Sequence, residues 1–398
     1  KGDSGELTYG RLDEESDKFA EFLIDRGLEK GSPVIHLLPR LLEVPVVQLG
    51  TFKAGCIAVP CSEMLKPKNI KYRARNSNAA ALVAHSSNAS EVEKVKPEMD
   101  IGCYVIVEGE REGWVTYDEI KKKEVGSSSS VSVNTEDPMT INYTSGTTGS
   151  PKPVVHKHRW MAAHNRITGS YWWGVEENVE DELLWATTAP GWAKWYWSPI
   201  GVGLTNGLSQ FIYNGTFDAE KYLTLMKKYE VTRLCATPTE YRAFAQLKDL
   251  GRYDLKLRAA LSAGEPLNID PIRAFRKAFD VEIRDGYGQT ESVCLACNRP
   301  GMKIKPGSMG IPCPGMDIRI VDEQGEVLPE GEVGEISLDP DNPGIFDGYW
   351  NSPELDDEVF GRGLYRTGDL ARRDEDGYLW FEGRADDIII SSGYRIGP

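Results

Sequence analysis

The sequence lacks a long apolar run. A helix that crosses a membrane needs about 18 or more consecutive apolar residues, and polar residues interrupt every apolar stretch of this chain before that length. The first residues, Lys1 and Gly2 followed by an aspartate and a serine, also lack the apolar segment of a signal peptide. We therefore expect no membrane span, and these residues are not typical of a secretion signal.

Positive charge is also scarce. The chain has 46 lysines and arginines against 61 aspartates and glutamates, which gives a net charge of -15. Nucleic acids and anionic membranes attract basic surfaces, so this balance argues against both as main partners. A local basic pocket for a small anion remains compatible with it.

Cysteine is present without a disulfide pattern. Seven is an odd number, and a chain of 398 residues can bury a stable core without cross-links. We expect reduced, buried thiols and therefore a cytoplasmic location. Cys294 and Cys297 form a Cys-x-x-Cys pair that could serve redox or zinc chemistry, but no second pair or histidine pair accompanies it. We interpret this pair as coincidental.

The pattern of apolar and turn-forming residues changes at Pro300. Before it, apolar runs such as 34–38 alternate with helical apolar spacing such as 43–53. This alternation predicts an α/β fold with parallel sheets that helices cover on both faces. After Pro300, short alternating segments between Pro, Gly and Asp turns predict an antiparallel β subdomain of roughly 85 residues without helices.

The strongest chemical signal is the segment 143–152, YTSGTTGSPK, which directly follows a predicted strand. Glycine lets the backbone approach a polyanion, and hydroxyls and exposed N–H groups donate to phosphate oxygens. Gly149 and Lys152 are separated by Ser-Pro, so the segment is not a Walker A loop. The candidate phosphate-binding residues are Thr144, Ser145, Gly146, Thr147, Thr148, Gly149 and Lys152.

Five further strings follow in a fixed order. They are GEP at 264–266, GYGQTE at 286–291, YRTGD at 365–369, GRADD at 383–387 and SGYRIG at 392–397. With 143–152 they resemble the motifs of the adenylate-forming superfamily, which contains acyl-CoA synthetases, peptide-synthetase adenylation domains and luciferases. The resemblance spans essentially the whole chain.

The resemblance implies the large N-terminal domain of the adenylate-forming fold. We expect two helix-covered, mostly parallel sheets over 1–300, with the phosphate loop, the adenine slot and the acyl pocket. A small antiparallel β-barrel-like subdomain follows over 301–385. Residues 386–398 correspond to the hinge and the start of a C-terminal domain, and we expect the rest of that domain, with the family's catalytic lysine, to be missing from this sequence.

The resemblance also implies a role for each motif residue. The implied ATP- and AMP-binding residues are Thr144–Gly149, Gly264, Glu265 and Pro266 at one wall of the adenine slot, Tyr287 stacked on adenine, Gln289, Thr290, Asp369 at the ribose, and Arg384. The implied catalytic residues are Lys152, Thr290, Glu291 and Arg395, with Glu291 as the Mg²⁺ ligand. Asp386 would be the hinge, and Gly393 would line the CoA tunnel.

The implied reaction needs no general base. A carboxylate that is already ionised at neutral pH attacks the α-phosphorus of ATP, giving an acyl-adenylate and pyrophosphate, and CoA then accepts the acyl group. The absence of a catalytic triad is therefore no objection. The expected cofactors and cosubstrates are ATP, Mg²⁺ and coenzyme A, and the expected partner is a small carboxylic acid. Formation of a homo-oligomer is left open.

Gly288 is the residue most informative about the acid. Acetate-using members of the family have tryptophan at this place, so glycine predicts room for a longer or branched chain. The strings at 302–307 and 344–350 resemble medium-chain acyl-CoA synthetases. Six of the ten tryptophans lie within residues 172–197. We expect Trp192 and Trp197, with Lys194 nearby, to line the acyl pocket, and Trp195 is a further candidate; ordinary core packing is the alternative for each tryptophan.

Three other functions share these motifs. The runner-up is an adenylation domain that delivers an acyl or aminoacyl group to a carrier protein. A luciferase-like oxygenase and a non-catalytic nucleotide sensor are the others. His156, His158 and His164 do not fall on one helix face, so we expect packing or surface histidines rather than a metal site.

Overall fold

The computed structural model describes residues 1–2, 5–124, 131–144, 151–176, 178–385, 389–391 and 394–396. Two seven-stranded sheets form its centre. The first has the order β5-β4-β3-β1-β2-β6-β7 and is parallel except for the last pair. Its strands are β1 Pro33–Leu37, β2 Ile57–Cys61, β3 Ala81–His85, β4 Cys103–Val107, β5 Val115–Thr116, β6 Pro138–Tyr143 and β7 Pro153–Lys157.

The second sheet has the order β14-β13-β12-β11-β10-β8-β9. Strands β8 to β12 run parallel, whereas β13 and β14 are antiparallel. They are β8 Leu183–Ala186, β9 Ser209–Phe211, β10 Arg233–Ala236, β11 Ala259–Ala263, β12 Ile283–Tyr287, β13 Ala296–Cys297 and β14 Ile311–Pro312. Strand β14 lies beyond residue 300, so this sheet includes residues that follow the change in apolar pattern at Pro300.

Nine helices accompany the two sheets within the described ranges. They are α1 Tyr9–Asp25, α2 Glu43–Lys53, α3 Pro67–Ser77, α4 Ser86–Glu93, α5 Tyr117–Lys121, α6 Arg159–Ala163, α7 Ala219–Tyr229, α8 Pro238–Ala245 and α9 Ile269–Phe279. Their ends follow local rules: Thr237 accepts from the Glu240 N–H and the Glu240 carboxylate accepts from Thr237, a capping box at the start of α8. None of the described helices is long and apolar enough to span a membrane.

Two further helical segments, His164–Trp173 and Tyr196–Leu204, have the wider hydrogen bonding of a π-helix. Such segments are rare and often occur beside functional sites. Both are mostly buried, and they pack against each other. The second follows Trp195 directly and places Trp197 in its first turn.

The region after Pro300 forms a four-stranded antiparallel sheet in the order β15-β16-β17-β18. Its strands are β15 Arg319–Val321, β16 Gly334–Leu338, β17 Tyr365–Arg373 and β18 Leu379–Arg384, and a hairpin of β19 Ile389–Ser391 and β20 Tyr394–Ile396 follows. The expected β-barrel is not confirmed. The expectation of no helix here is wrong, because α10 spans Pro353–Val359. Only Leu355 and Val359, four residues apart, pack against the core, and a single apolar pair within seven residues is too short a pattern to predict a helix.

The parallel strands of the second sheet position the candidate site. Strands β10, β11 and β12 end at neighbouring points, at Ala236, Ala263 and Tyr287. The segments that follow these ends begin with Thr237, Gly264 and Gly288. In open α/β sheets, ligands bind at the carboxyl ends of the strands.

Candidate active site

Two cavities meet at this carboxyl edge. The polar cavity has a volume of about 710 Å³ and the apolar cavity about 490 Å³. Both are lined by Gly264, Gln289 and Thr290, so those residues form their common wall. The polar cavity is also lined by Thr144, Lys152, Glu291, Glu335, Tyr349, Glu358, Val359, Tyr365, Arg366, Thr367, Gly368, Arg384 and Ala385.

Glu291 lies in the wall of the polar cavity. The Tyr349 hydroxyl donates to its Oε1 at 3.0 Å, and the Phe346 N–H donates to its backbone carbonyl at 2.7 Å. Burial raises the pKa of Glu291, because desolvation opposes the charged form more than nearby Lys152 and Arg384 favour it. A hard cation would relieve this cost, so the carboxylate fits the expected Mg²⁺ ligand.

Thr144 and Lys152, the predicted phosphate-binding residues on either side of 145–150, contact each other. The Thr144 N–H donates to the Lys152 carbonyl at 3.0 Å. The Lys152 ammonium lies over the Tyr349 ring, 5.5 Å from its centroid, and 3.9 Å from the Glu358 carboxylate. It therefore faces the polar cavity as a positive charge that an anion can reach.

Asp369 brings three separate motifs together. Tyr287 and Gln289 donate to its Oδ2 at 2.7 and 2.6 Å, and Arg384 donates to Oδ1 at 2.9 Å. Tyr365 in turn donates to the Gln289 side-chain oxygen at 2.7 Å. A carboxylate has about four acceptor positions, so these donors leave about one for a ligand hydroxyl. Asp369 itself is 6% exposed, and Thr367 and Gly368 form the cavity wall beside it.

The GEP motif lies at the other side of the common wall. Gly264 has a φ of +104°, a conformation that favours glycine, and it follows the last residue of β11. The exposed Glu265 carboxylate accepts from Thr239 at 3.1 Å and from Arg242 at 3.0 Å. Pro266 is exposed. The structure thus places the motif at the predicted edge, with Gly264 in both cavity walls.

The apolar cavity contains the predicted acyl-pocket residues. Trp192, Lys194, Trp197 and Gly288 all line it. Trp192 is 53% exposed, whereas Trp197 is 4% exposed and donates its indole N–H to the Ser292 carbonyl at 3.0 Å. The Lys194 ammonium donates to the Ala263 carbonyl at 3.1 Å, at the carboxyl end of β11. The Lys194 ammonium is therefore held at the edge of the apolar cavity.

Trp195 lies elsewhere. It is 2% exposed, donates to the Gln48 side chain at 3.0 Å, and lines a separate cavity of about 270 Å³ with Pro199 and Leu208. Core packing, the alternative named for this residue, is therefore correct. The tryptophans at 172, 173 and 185 are also fully buried.

The structure explains the glycine at position 288 differently from the sequence-based expectation. A Cβ atom at this position would lie 2.2 Å from Cη2 of Trp197 and 2.5 Å from the Val293 carbonyl oxygen. The room that glycine leaves is thus filled by Trp197, and the expectation of empty space at Gly288 itself is wrong. Gly288 and Trp197 together form one wall of the apolar cavity.

His156 is a residue of the site that sequence reasoning left unassigned. Its Nε2 lies 2.7 Å from the Thr290 carbonyl oxygen, and its ring stacks on Trp160 with a centroid distance of 3.5 Å. Because a carbonyl only accepts, Nε2 bears the proton. Burial lowers the pKa of His156 to about 3, which keeps the ring neutral. Its place in β7, beside the phosphate loop, was the available signal.

Asp285 is a second residue without a predicted role, and it lies next to the motif rather than in the lining of either cavity. It lies in β12 one residue before the GYGQTE motif, and its Oδ1 accepts from the Gly286 N–H at 3.1 Å. Burial raises the pKa of Asp285 to about 8, although that N–H and the Lys194 charge oppose the shift. Shifted carboxyls of this kind concentrate at functional sites.

Several predicted residues lie outside the described ranges. They are Ser145, Gly146, Thr147, Thr148, Gly149, Asp386 and Gly393. Arg395 lies in β20, and its backbone alone is described. Their predicted roles stay predictions.

Comparison with known proteins places this geometry in a family. The family model described as AMP-binding enzyme matches residues 2–350. "Uncharacterized acyl--CoA ligase YtcI" of Bacillus subtilis (strain 168) is 42% identical over 393 residues, which are 98% of this chain and 73% of that protein. Mouse "Acyl-coenzyme A synthetase ACSM3, mitochondrial" is 36% identical over 96% of this chain and 67% of its own length.

Solved structures agree with these relatives. An anthranilate CoA ligase, AuaEII, in complex with anthranoyl-AMP superposes with a TM-score of 0.93 and 28% identity, over 100% of this chain and 77% of that one. An acyl-CoA synthetase of Brucella canis gives a TM-score of 0.86 and 31% identity, over 99% of this chain and 72% of that one. The chain belongs to the AMP-binding enzyme family.

Proposed function

We propose that the protein is an AMP-forming acyl-CoA synthetase, which activates a medium-length or branched carboxylic acid with ATP and transfers the acyl group to CoA. The observation that supports this best is the common wall of Gly264, Gln289 and Thr290 between a polar and an apolar cavity. That wall is where an acid's carboxylate and the α-phosphate of ATP would meet. The names of the acyl-CoA synthetase relatives agree with it.

In this proposal the chain's own groups position charge rather than move protons. The Thr290 hydroxyl donates to the α-phosphate, where negative charge develops as the carboxylate attacks. Lys152 and Arg384 both line the polar cavity, where Lys152 would neutralise the departing pyrophosphate and Arg384 would reach the ribose or the phosphates. Glu291 would hold Mg²⁺, which would supply further positive charge at the phosphates. The family's C-terminal lysine is assigned to none of the 398 residues.

The size of the apolar cavity supports the choice of acid. About 490 Å³ is more than an acetyl group needs, and apolar atoms, including those of Trp192 and Trp197, form most of its exposed wall. Each methylene that enters such a cavity contributes about 0.8 kcal/mol. Four methylenes beyond acetate would therefore give roughly 100-fold preference in kcat/KM.

A substrate panel tests the proposal. The full-length protein, with ATP, Mg²⁺ and CoA, is given straight-chain acids from C2 to C12, branched acids, aryl acids and amino acids, and pyrophosphate release is measured. We expect a maximum at medium or branched chains, with AMP formed in equal amount. Formation of ADP and phosphate would contradict the proposal. Pyrophosphate exchange with amino acids and no thioester with CoA would favour the carrier-protein alternative.

The location is part of the proposal. All seven cysteines are unpaired and buried, and free thiols are typical of a reducing compartment. This supports the cytoplasm as the site of action.

A further inference from the structure

Three buried cysteines form a compact cluster outside the two cavities. Cys294, Cys297 and Cys313 come from three segments: the chain after Glu291, strand β13 and the residue after β14. Their Sγ atoms all lie within 4.8 Å of one another, and the sulfurs of Cys297 and Cys313 are 3.5 Å apart. The residues are 0%, 0% and 2% exposed. The Cys-x-x-Cys pair of the sequence thus has a third sulfur that the sequence could not reveal.

The spacing of these sulfurs fits one metal ion. A metal–sulfur bond of about 2.3 Å places three sulfurs around a coplanar ion about 4 Å apart. The Cys297–Cys313 separation of 3.5 Å is just below this value, and no pair of these sulfurs is more than 4.8 Å apart. Within the described part of the chain, no fourth histidine, cysteine or carboxylate joins the group. Structural zinc is almost always four-coordinate, whereas thiolates alone select softer ions such as Cu⁺.

The surroundings provide positive charge for thiolates. The positive charge of Arg299 acts on the sulfurs of Cys297 and Cys313, and that of Arg284 acts on Cys297. Both arginines bond mainly to backbone carbonyls: Arg284 donates to Trp172 and Trp173, and Arg299 donates to Pro312. Three thiolates and a monovalent ion have a net charge of minus two, which two such arginines would balance.

We propose that Cys294, Cys297 and Cys313 form a three-sulfur site for a soft, thiophilic ion, with Cu⁺ as the ion that fits it. Three Cu–S bonds form, three S–H bonds break, and the three protons pass to solvent; no electron is transferred. The S–H···O bond from Cys294 to the Ala296 carbonyl, at 3.4 Å, is lost in exchange. Because the site is buried, the ion enters during folding.

The cysteine cluster packs directly against the GYGQTE motif. A Cβ atom at Gly286, the first residue of GYGQTE, would lie 3.2 Å from the Cys294 sulfur. The Cys294 N–H donates to the Thr168 hydroxyl at 3.3 Å, which fixes the far end of the segment that contains Glu291. An ion here would join β13 and β14 to that segment, so its effect is structural.

Metal analysis tests the proposal directly. The full-length protein is produced in copper-supplemented medium, and separately refolded anaerobically with Cu⁺; copper is then measured per chain against a competing Cu⁺ chelator. We expect one copper per chain, with X-ray absorption showing three sulfurs at about 2.3 Å. Cys313→Ala should weaken retention by more than about 100-fold.

Cys103→Ala is the matched control, because Cys103 is also a buried thiol but lies in β4, outside the cluster. It should keep the copper fully, and circular dichroism of both variants confirms that they fold. The proposal is wrong if neither preparation of the unaltered protein retains copper, if zinc is retained in preference to copper, or if both variants lose copper equally. A disulfide between Cys297 and Cys313, seen as the loss of two titratable thiols, also overturns it.

Discussion

At the scale of single residues, hydrogen bonds to the backbone fix the segment that contains Glu291. His156 donates to the Thr290 carbonyl at 2.7 Å, and Trp197 donates to the Ser292 carbonyl at 3.0 Å. Val293 donates its N–H to the Gly344 carbonyl at 2.8 Å. A buried carbonyl that loses its donor costs about 1–3 kcal/mol. These bonds therefore hold the Glu291 carboxylate and the Thr290 hydroxyl where the proposed reaction needs them.

The first prediction tests His156 as a positioning residue. In His156→Gln the amide nitrogen reaches the place of Nε2, so we expect kcat/KM within a few-fold of the unaltered protein. In His156→Asn the donor is too short, and losing about 1–3 kcal/mol should lower kcat/KM by roughly 10- to 100-fold and raise the Mg²⁺ concentration required. Mg²⁺ titrations in a pyrophosphate-exchange assay measure both.

A purely structural role for His156 would give a different result. The two variants would then lose thermal stability and activity in parallel, with no change in Mg²⁺ requirement. Because the pKa of His156 is about 3, its ionisation should also be invisible in the rate profile above about pH 5.

The second prediction concerns the wall formed by Gly288 and Trp197. In Gly288→Ala the new methyl group would lie 2.2 Å from the Trp197 ring, which must move into the apolar cavity. We expect kcat/KM for long acids to fall by more than about 10-fold, while short acids change little. Adding Trp197→Phe should restore part of the long-chain activity. A chain-length series measures this, with Trp195→Phe, at the separate cavity, as the control that leaves the profile unchanged.

At the scale of elements, the sequence predicted those with a strong apolar pattern. Strand β1 and helix α2 match the continuous apolar run 34–38 and the helical apolar spacing 43–53, and the structure confirms both. Helix α10 was not predicted, because its seven residues offer only one core-facing apolar pair, Leu355 and Val359. The contact between Gly288 and Trp197, and the third sulfur of the cysteine cluster, join residues far apart in sequence. A local pattern does not contain such contacts.

The third prediction concerns α10. This helix places Glu358 at the wall of the polar cavity, 3.9 Å from the Lys152 ammonium. Glu358 therefore competes with phosphate for Lys152. Exposed pairs contribute about 0–1 kcal/mol, so Glu358→Gln should lower KM for ATP by up to about five-fold. Glu354→Gln, on the same helix but not paired with Lys152, should leave KM unchanged; equal effects of the two would contradict this reading.

At the scale of the whole molecule, the acidic balance and the anionic ligands are compatible. The net charge is -15, yet Lys152, Arg366 and Arg384 all line the polar cavity. Local cations and backbone N–H groups can thus receive phosphates within an acidic protein.

The fourth prediction concerns acid stability. Burial lowers the pKa of His36 and of His156 to about 3, and that of His164 well below its usual value. The unfolded chain binds protons at these residues below about pH 6.5, whereas the folded chain does not. The contribution of His36 and His156 to the free energy of unfolding should therefore be complete above pH 6.5 and fall by up to about 1.4 kcal/mol per pH unit for each residue down to about pH 3. The Asp285 carboxyl, whose pKa burial raises to about 8, contributes the opposite slope between about pH 8 and 4, so the histidine contribution is measured as a difference between variants.

Urea unfolding between pH 7.5 and 4 measures this slope. His36→Gln should reduce the slope of the unfolding free energy against pH by up to about 1.4 kcal/mol per pH unit, because the unfolded variant takes up one proton fewer. His85→Gln, at a hydrogen-bonded histidine in an exposed setting, is the control. A slope that is the same in His36→Gln as in the unaltered protein would contradict the prediction.

The central claim is that a carboxylate oxygen attacks the α-phosphorus of ATP. The most direct test uses a medium-chain acid with both carboxylate oxygens replaced by ¹⁸O, together with ATP, Mg²⁺, CoA and the full-length protein, followed by mass spectrometry of the products. The account predicts AMP with one ¹⁸O atom, a thioester with the other, and unlabelled pyrophosphate. Label in free phosphate with ADP as coproduct, or AMP without label, would contradict it.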